Sequence, residues 1–114
     1  MTKNDLEEIF KECEIPSNEG IQYLETNDKL PRIVYFEYRW EDIVASGKKF
    51  DTNVNYQVSF RSAITRDPKL LLLKKKLNEK DIHPIISIEY IKEKREWHSY
   101  FSVEVVEDVC SSIW

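Results

Sequence analysis

Residues 53–61 read NVNYQVSFR, and no other stretch limits the fold of this chain as strongly. Successive side chains of a strand point to opposite faces. Val54, Tyr56, Val58 and Phe60 therefore share one face, and Asn53, Asn55, Gln57, Ser59 and Arg61 the other. An antiparallel sheet with one wet face accommodates such a strand, provided that its apolar face is covered. Three further segments have strand character. RIVYFEYRW (32–40) separates Val34, Phe36, Tyr38 and Trp40 from Ile33, Tyr35, Glu37 and Arg39, predicting a half-buried strand with the first set on the core side. IISIEYI (85–91) groups Ile86, Ile88 and Tyr90. After the charged turn KEKRE, WHSYFSVEVVE groups Trp97, Phe101, Val103 and Val105, and the two segments predict a hairpin.

Two segments can supply the cover. Thr2 or Asn4 caps a first helix in which Leu6, Ile9, Phe10 and Cys13 recur at helical spacing, with Glu7, Glu8 and Glu12 outside the stripe and EIPSNEG ending it. A second helix starts with Asp67 as N-cap and Pro68 at its first position. Lys74, Lys75, Lys76 and Lys80 suit its C-terminal half, where they complement the helix dipole. At 100° per residue Leu70, Leu73 and Leu77 share a face, Leu71 flanks it, and Leu72 falls roughly opposite among Lys69, Lys75 and Lys76. Leu72 then lies either under a neighbouring loop or as an apolar point on a basic surface, where a partner subunit can cover it.

The order α-β-β-α-β-β predicts a single α+β domain over residues 1–114, a four-stranded, mainly antiparallel sheet with both helices packed on its apolar face. Parallel strand pairing, or a deep cavity where several acids converge, would overturn this arrangement and what is built on it. Residues 15–31, with Pro16, Gly20 and Pro31 around IQYLE, read as a covering loop. EDIVASGKKFDT (41–52), with Gly47, Lys48 and Lys49, reads as a projecting one, and the tail DVCSSIW folds back on the core or reaches a neighbour.

At 114 residues the chain is of single-domain length, and 41% hydrophobic with 33% charged residues is the balance of an ordered globular chain. The apolar run 70–73 is far too short for a membrane span, and the acidic N-terminal segment does not read as a signal peptide, so a cytoplasmic protein is expected. Cys13 and Cys110 have neither metal-ligand nor redox spacing, and folding without metal or disulfide is expected. Charge is unevenly placed: residues 1–28 carry two Lys against eight acids, whereas residues 29–80 carry twelve Lys and Arg against six. Opposite signs on different segments suit either two solvated faces or head-to-tail association of identical subunits.

Catalytic patterns are lacking. Gly20 and Gly47 stand alone and open no phosphate-binding turn, and His83 and His98 have no partner at ligand spacing and read as satisfied surface or edge residues. The one enzyme worth considering is a metal-dependent nuclease, with Glu37, Glu89 and Lys92 converging from neighbouring strands. Nucleic-acid binding has Arg61, Arg66, Lys74, Lys75 and Lys76 in its favour. Against it, Phe36, Tyr38, Trp40, Tyr56, Phe60, Trp97 and Phe101 share the parity of the apolar face, with only Tyr35 and Tyr100 outside it.

The order and spacing of LPRIVYFEY, the Gly-containing loop ASGKKF, NYQVSFRSAITRDPKL and KLNEKDIHPIISIEYIKEKREWHSYFSVEV, over roughly residues 28–106, resemble the small tail-completion or tail-terminator proteins of siphophages of Gram-positive bacteria and their prophages. The chain departs from that pattern with ASGKK where an acidic residue follows the loop Ala, and with FRSAIT where a Tyr-Thr pair follows the second strand. The resemblance implies a non-enzymatic virion protein without cofactor, found in the neck region of the tail and in the host cytoplasm during assembly. It implies a homo-oligomeric ring, typically hexameric, that ends growth of the major tail tube protein and receives the head connector, with no membrane and no specific nucleic acid as partner. On this reading Leu72, Lys75 and Lys76 face another subunit, while the loop carrying Lys48, Lys49 and Phe50 reaches the tube or connector. A small nucleic-acid-binding or adaptor module is the alternative.

Overall fold

The alternation in residues 53–61 does form a strand with one buried face. In the computed structural model, which describes residues 1–20, 30–43 and 51–107, Val54, Tyr56, Val58 and Phe60 are all buried. The elements run α1 (Lys3–Glu12), β1 (Ser17–Glu19), β2 (Arg32–Ile43), β3 (Asp51–Ser62), α2 (Pro68–Glu79), β4 (Ser87–Ile91) and β5 (Glu96–Glu107). They form one α+β unit with a single sheet in the order β1-β2-β3-β5-β4.

That sheet has five strands and is mixed, not four-stranded, and the chain order is α-β-β-β-α-β-β. The added strand lies where a covering loop is expected, and its parallel pairing contradicts a wholly antiparallel sheet, though over three residues at one edge only. β1 runs parallel to β2, pairing Ser17, Asn18 and Glu19 with Ile33, Val34 and Tyr35, and it is flanked by the hydrogen bonds Ile33 N–H to Pro16 O (2.8 Å) and Gly20 N–H to Tyr35 O (2.7 Å). Ser-Asn-Glu has no apolar period to announce it; the backbone groups at the edge of β2 recruit it. The other pairs, β2–β3, β3–β5 and β4–β5, are antiparallel as expected.

The face of β2 is the reverse of the expected one. Ile33 and Tyr35 are buried opposite Phe60 and Val58, whereas Val34 and Phe36 lie opposite Ser59 and Gln57 on the other side. Both parities of RIVYF are apolar, so alternation alone has no contrast to read, and the register with β3 decides. A bulge between Glu37 and Arg39 then shifts the pairing by one residue, which leaves Tyr38 without a partner across the ladder and sets Trp40 opposite Val54. Tyr38 and Trp40 are 51% and 57% exposed, so neither is the core residue that its parity predicts.

Both helices seal the apolar face. Leu6, Ile9, Phe10 and Cys13 from the α1 segment and Leu70, Leu73 and Leu77 from α2 join the buried residues of β2, β3 and β5 in one core. The rings of Phe10, Tyr35 and Tyr56 pack in sequence, each tilted to the next, at centroid distances of 5.3 and 6.0 Å. Tyr35 Oη donates to the carboxylate of Glu7, tying α1 to β2, and burial followed by that bond pushes the phenol well above its usual pKa. Ile86 packs against the core, but Ile88 and Tyr90 are exposed, since β4 lies at the sheet edge.

Helix starts match the sequence. Thr2 and Asp5 form a reciprocal capping box, and the Asp67 side chain accepts from Lys69 N–H at 2.9 Å with Pro68 in the first helical turn. Asp67→Ala is expected to cost about 1 kcal/mol of stability, read from the urea midpoint at unchanged slope. Lys48, Lys49 and Phe50, the IQYLE segment, Cys110, Ile113 and Trp114 all lie outside the described residues.

Candidate interaction surfaces

The two flanks of α2 differ in what they meet. On one, Lys69 Nζ donates to the backbone oxygens of Cys13 (3.3 Å) and Glu14 (2.7 Å), and Lys76 Nζ lies 3.4 Å from Glu12. Leu72 sits between these two lysines by helical spacing and is 37% exposed. Part of the opposite charge on the N-terminal segment and α2 is therefore matched within the chain. Lys3 Nζ and Glu19 make a further pair at 2.8 Å inside the acidic segment. Exposed pairs of this kind contribute little, typically about 0–1 kcal/mol.

The other flank is open. Leu71, Lys74, Lys75, Asn78 and Glu79 line a groove of about 370 Å³, and Leu71, at 52%, is the most exposed leucine of the helix. Of the residues expected to face another subunit, Lys75 stands in this groove, whereas Leu72 and Lys76 belong to the α1 side. Leu71 and Leu72 lie almost equally far from the buried stripe, and only the position of α1 distinguishes them.

A second surface lies on the stem of the β2–β3 hairpin, where Glu37, Tyr38, Arg39 and Trp40 line a cleft of about 360 Å³. Trp40 Nε1 donates to Glu37 Oε2 (3.0 Å), Tyr38 Oη donates to Ser102 Oγ (2.9 Å), and Arg39 Nη2 lies 3.4 Å from Glu41. These bonds hold both aromatic rings by their polar ends and leave much of each ring accessible.

One polar cluster is absent from the sequence reading. Arg61 Nε and Nη2 grip both oxygens of Glu96 at 2.7 and 3.1 Å, and His98 Nε2 lies 2.8 Å from Glu96 Oε1. Arg61, taken from its parity as a wet-face residue, is buried, and so is Glu96. Burial alone would raise the Glu96 carboxyl, but the hydrogen bonds from Arg61 and His98 outweigh it and hold the group below its ordinary range. Glu96 and His98 are two apart on one strand and so share a face, which was a usable signal. Arg61 joins them because β3–β5 pairing sets it directly opposite His98. A carboxylate gripped by a guanidinium on both oxygens is a structural clamp, poorly suited to accept a proton in catalysis.

Glu37, Glu89 and Lys92 do not come together. Glu37 is on β2 and Glu89 on β4, with β3 and β5 between them, because the second hairpin joins the sheet through β5. Among the described residues no group of three or more His, Cys, Asp and Glu is placed to hold a metal ion. His83, exposed, lies 3.1 Å from both the Asn78 side-chain amide and Asp81 Oδ1. No helix among the described residues is long and apolar enough to cross a membrane. Compared with protein-family models and with curated proteins, the chain matches none.

Proposed function

We propose that this chain is a subunit of a ring at the head-proximal end of a siphophage tail tube, where it ends tube growth and offers a docking surface to the head connector. The observation that carries this reading is exposed apolar surface on two different parts of the chain, the β2 stem and the open flank of α2. Trp40, 57% exposed, stands on β2 beyond the stretch that β1 covers, and Leu71, 52% exposed, on the open flank of α2. A closed ring repeats one heterologous contact, so each subunit needs two different sticky surfaces, whereas a two-fold dimer needs only one. Among the described residues β1 covers β2 only at Ile33–Tyr35, and the rest of that edge has no strand beside it. The resemblance supplies the tail tube and the connector as partners and a six-membered ring as the assembly, with the loop bearing Lys48, Lys49 and Phe50 directed at them.

Exposure of Tyr38 and Trp40 removes the argument that these aromatics are core residues, and so favours a base-stacking surface as a second reading. Charge opposes it: Glu37 and Asp42 flank Trp40 on one face of the stem, and on the other, where Tyr38 lies, Arg39 is already beside Glu41, so phosphates are repelled from this stem. The test is to add the purified chain to the growing tail-tube protein of the same genome and image the products. Short tubes capped at one end by a ring are expected. Unchanged elongation with no density at either end overturns the proposal, and salt-sensitive retention of single-stranded DNA by the same preparation favours the second reading.

A further inference from the structure

We infer that the aromatic stem of the β2–β3 hairpin in one copy docks into the α2 groove of a second copy. This rests on the ring reading above and names the contact that repeats around the ring. Each surface has what the other lacks. On the Trp40 side of the stem stand Glu37 and Asp42, while Arg39 and Glu41 pair with each other at 3.4 Å on the other side. The groove carries Lys74 and Lys75 against Glu79, and among the described residues neither lysine is in an ion pair, unlike Lys76 on the opposite flank. At the centre of each charged rim is apolar surface, Trp40 on the stem and Leu71 in the groove, whereas Tyr38 lies across the opposite face of the sheet toward Ser102.

Within one chain the two surfaces do not cover each other, since Trp40 and Leu71 both remain more than half exposed. They are also different in shape and charge, so their contact is head-to-tail and leaves one stem and one groove free on every pair, the condition for a ring. Opposite charge around an apolar centre is the arrangement that orients a partner and then holds it through the buried aromatic anchor. A nucleic acid or an anionic membrane suits the lysines of the groove but meets carboxylates at the stem, so neither can occupy both surfaces.

The inference is tested by carbodiimide coupling, which joins carboxylates to lysines only at ion-pair distance, in an equal mixture of ¹⁵N-labelled and unlabelled full-length chain, free and on tail tubes. Mixed-isotope links from Glu37 or Asp42 to Lys74 or Lys75 are expected. Trp40→Ala and Leu71→Asp, both at exposed positions and checked for folding by circular dichroism, are each expected to weaken self-association about 30-fold or more. Mixed together they should form a dimer through the one intact stem and groove, and no ring. Intermolecular links elsewhere, links only to the tube protein, or rings from the mixed variants overturn the docking mode while leaving the ring reading intact. A wild-type chain that stays monomeric both free and on tubes overturns both.

Discussion

Glu96→Ala is expected to lower the unfolding free energy by about 3–5 kcal/mol, because it breaks a buried, doubly hydrogen-bonded ion pair by removing one member. The pair is enclosed: the two side chains are 11% and 5% exposed, and the Nε–Oε1 distance is 2.7 Å. Against a total stability of about 5–15 kcal/mol for a domain of this size, such a loss shifts the urea midpoint markedly. Replacing both partners, as Arg61→Met with Glu96→Leu, should cost far less than either single change, since the buried guanidinium then goes together with the carboxylate it grips. A single-variant loss under about 1 kcal/mol, on the same scale, would show that the clamp is not buried in solution.

The clamp also has a pH signature. The Glu96 carboxyl is held below its ordinary value of 4.5 in the folded chain, with burial opposing the shift and the Arg61 and His98 hydrogen bonds overcoming it. A group whose pKa falls on folding contributes stability that is fully present above the unfolded value and is lost as pH drops through the folded one. The stability difference between wild type and Glu96→Gln should therefore hold steady above pH 4.5 and shrink below it. A difference that grows on acidification would reverse the assigned sign.

Phe60→Ala is expected to cost a similar amount, about 3–5 kcal/mol, by a different mechanism. Phe60 is fully buried, paired with Ile33 on β2 and Ser99 on β5, so its ring lies where the two long strand pairs meet under the helices. Removal takes away a large apolar surface and leaves a cavity that the stiff three-strand centre cannot close. Unlike the clamp variant, this loss should be insensitive to acid between pH 4 and 7, which separates packing from charge in one pair of denaturation series.

The open surfaces were only partly legible in the sequence. Lys75 and the oddity of a leucine among lysines pointed to α2, but they pointed to Leu72. Its flank is taken up by Lys69 and Lys76 reaching to the end of α1, while Leu71 on the other side is left exposed. Tyr38 and Trp40 looked like core because aromatic residues at alternate positions usually are. Tyr38 follows the reversed face of β2 onto the wet side, and the one-residue bulge returns Trp40 to the side of Val54, where it stays 57% exposed.

Where polar and apolar residues alternate with strong contrast, as in β3 and the buried stripes of both helices, the local pattern suffices, because only one orientation hides the apolar set from water. The caps at Thr2 and Asp67 are equally local, being hydrogen bonds closed within three residues. The face of β2, the parallel strand β1 and the union of Arg61 with Glu96 and His98 required the assembled sheet. Each depends on which strand lies beside which and in what register, and in those segments both choices are similar in local energy until the neighbouring backbone is in place.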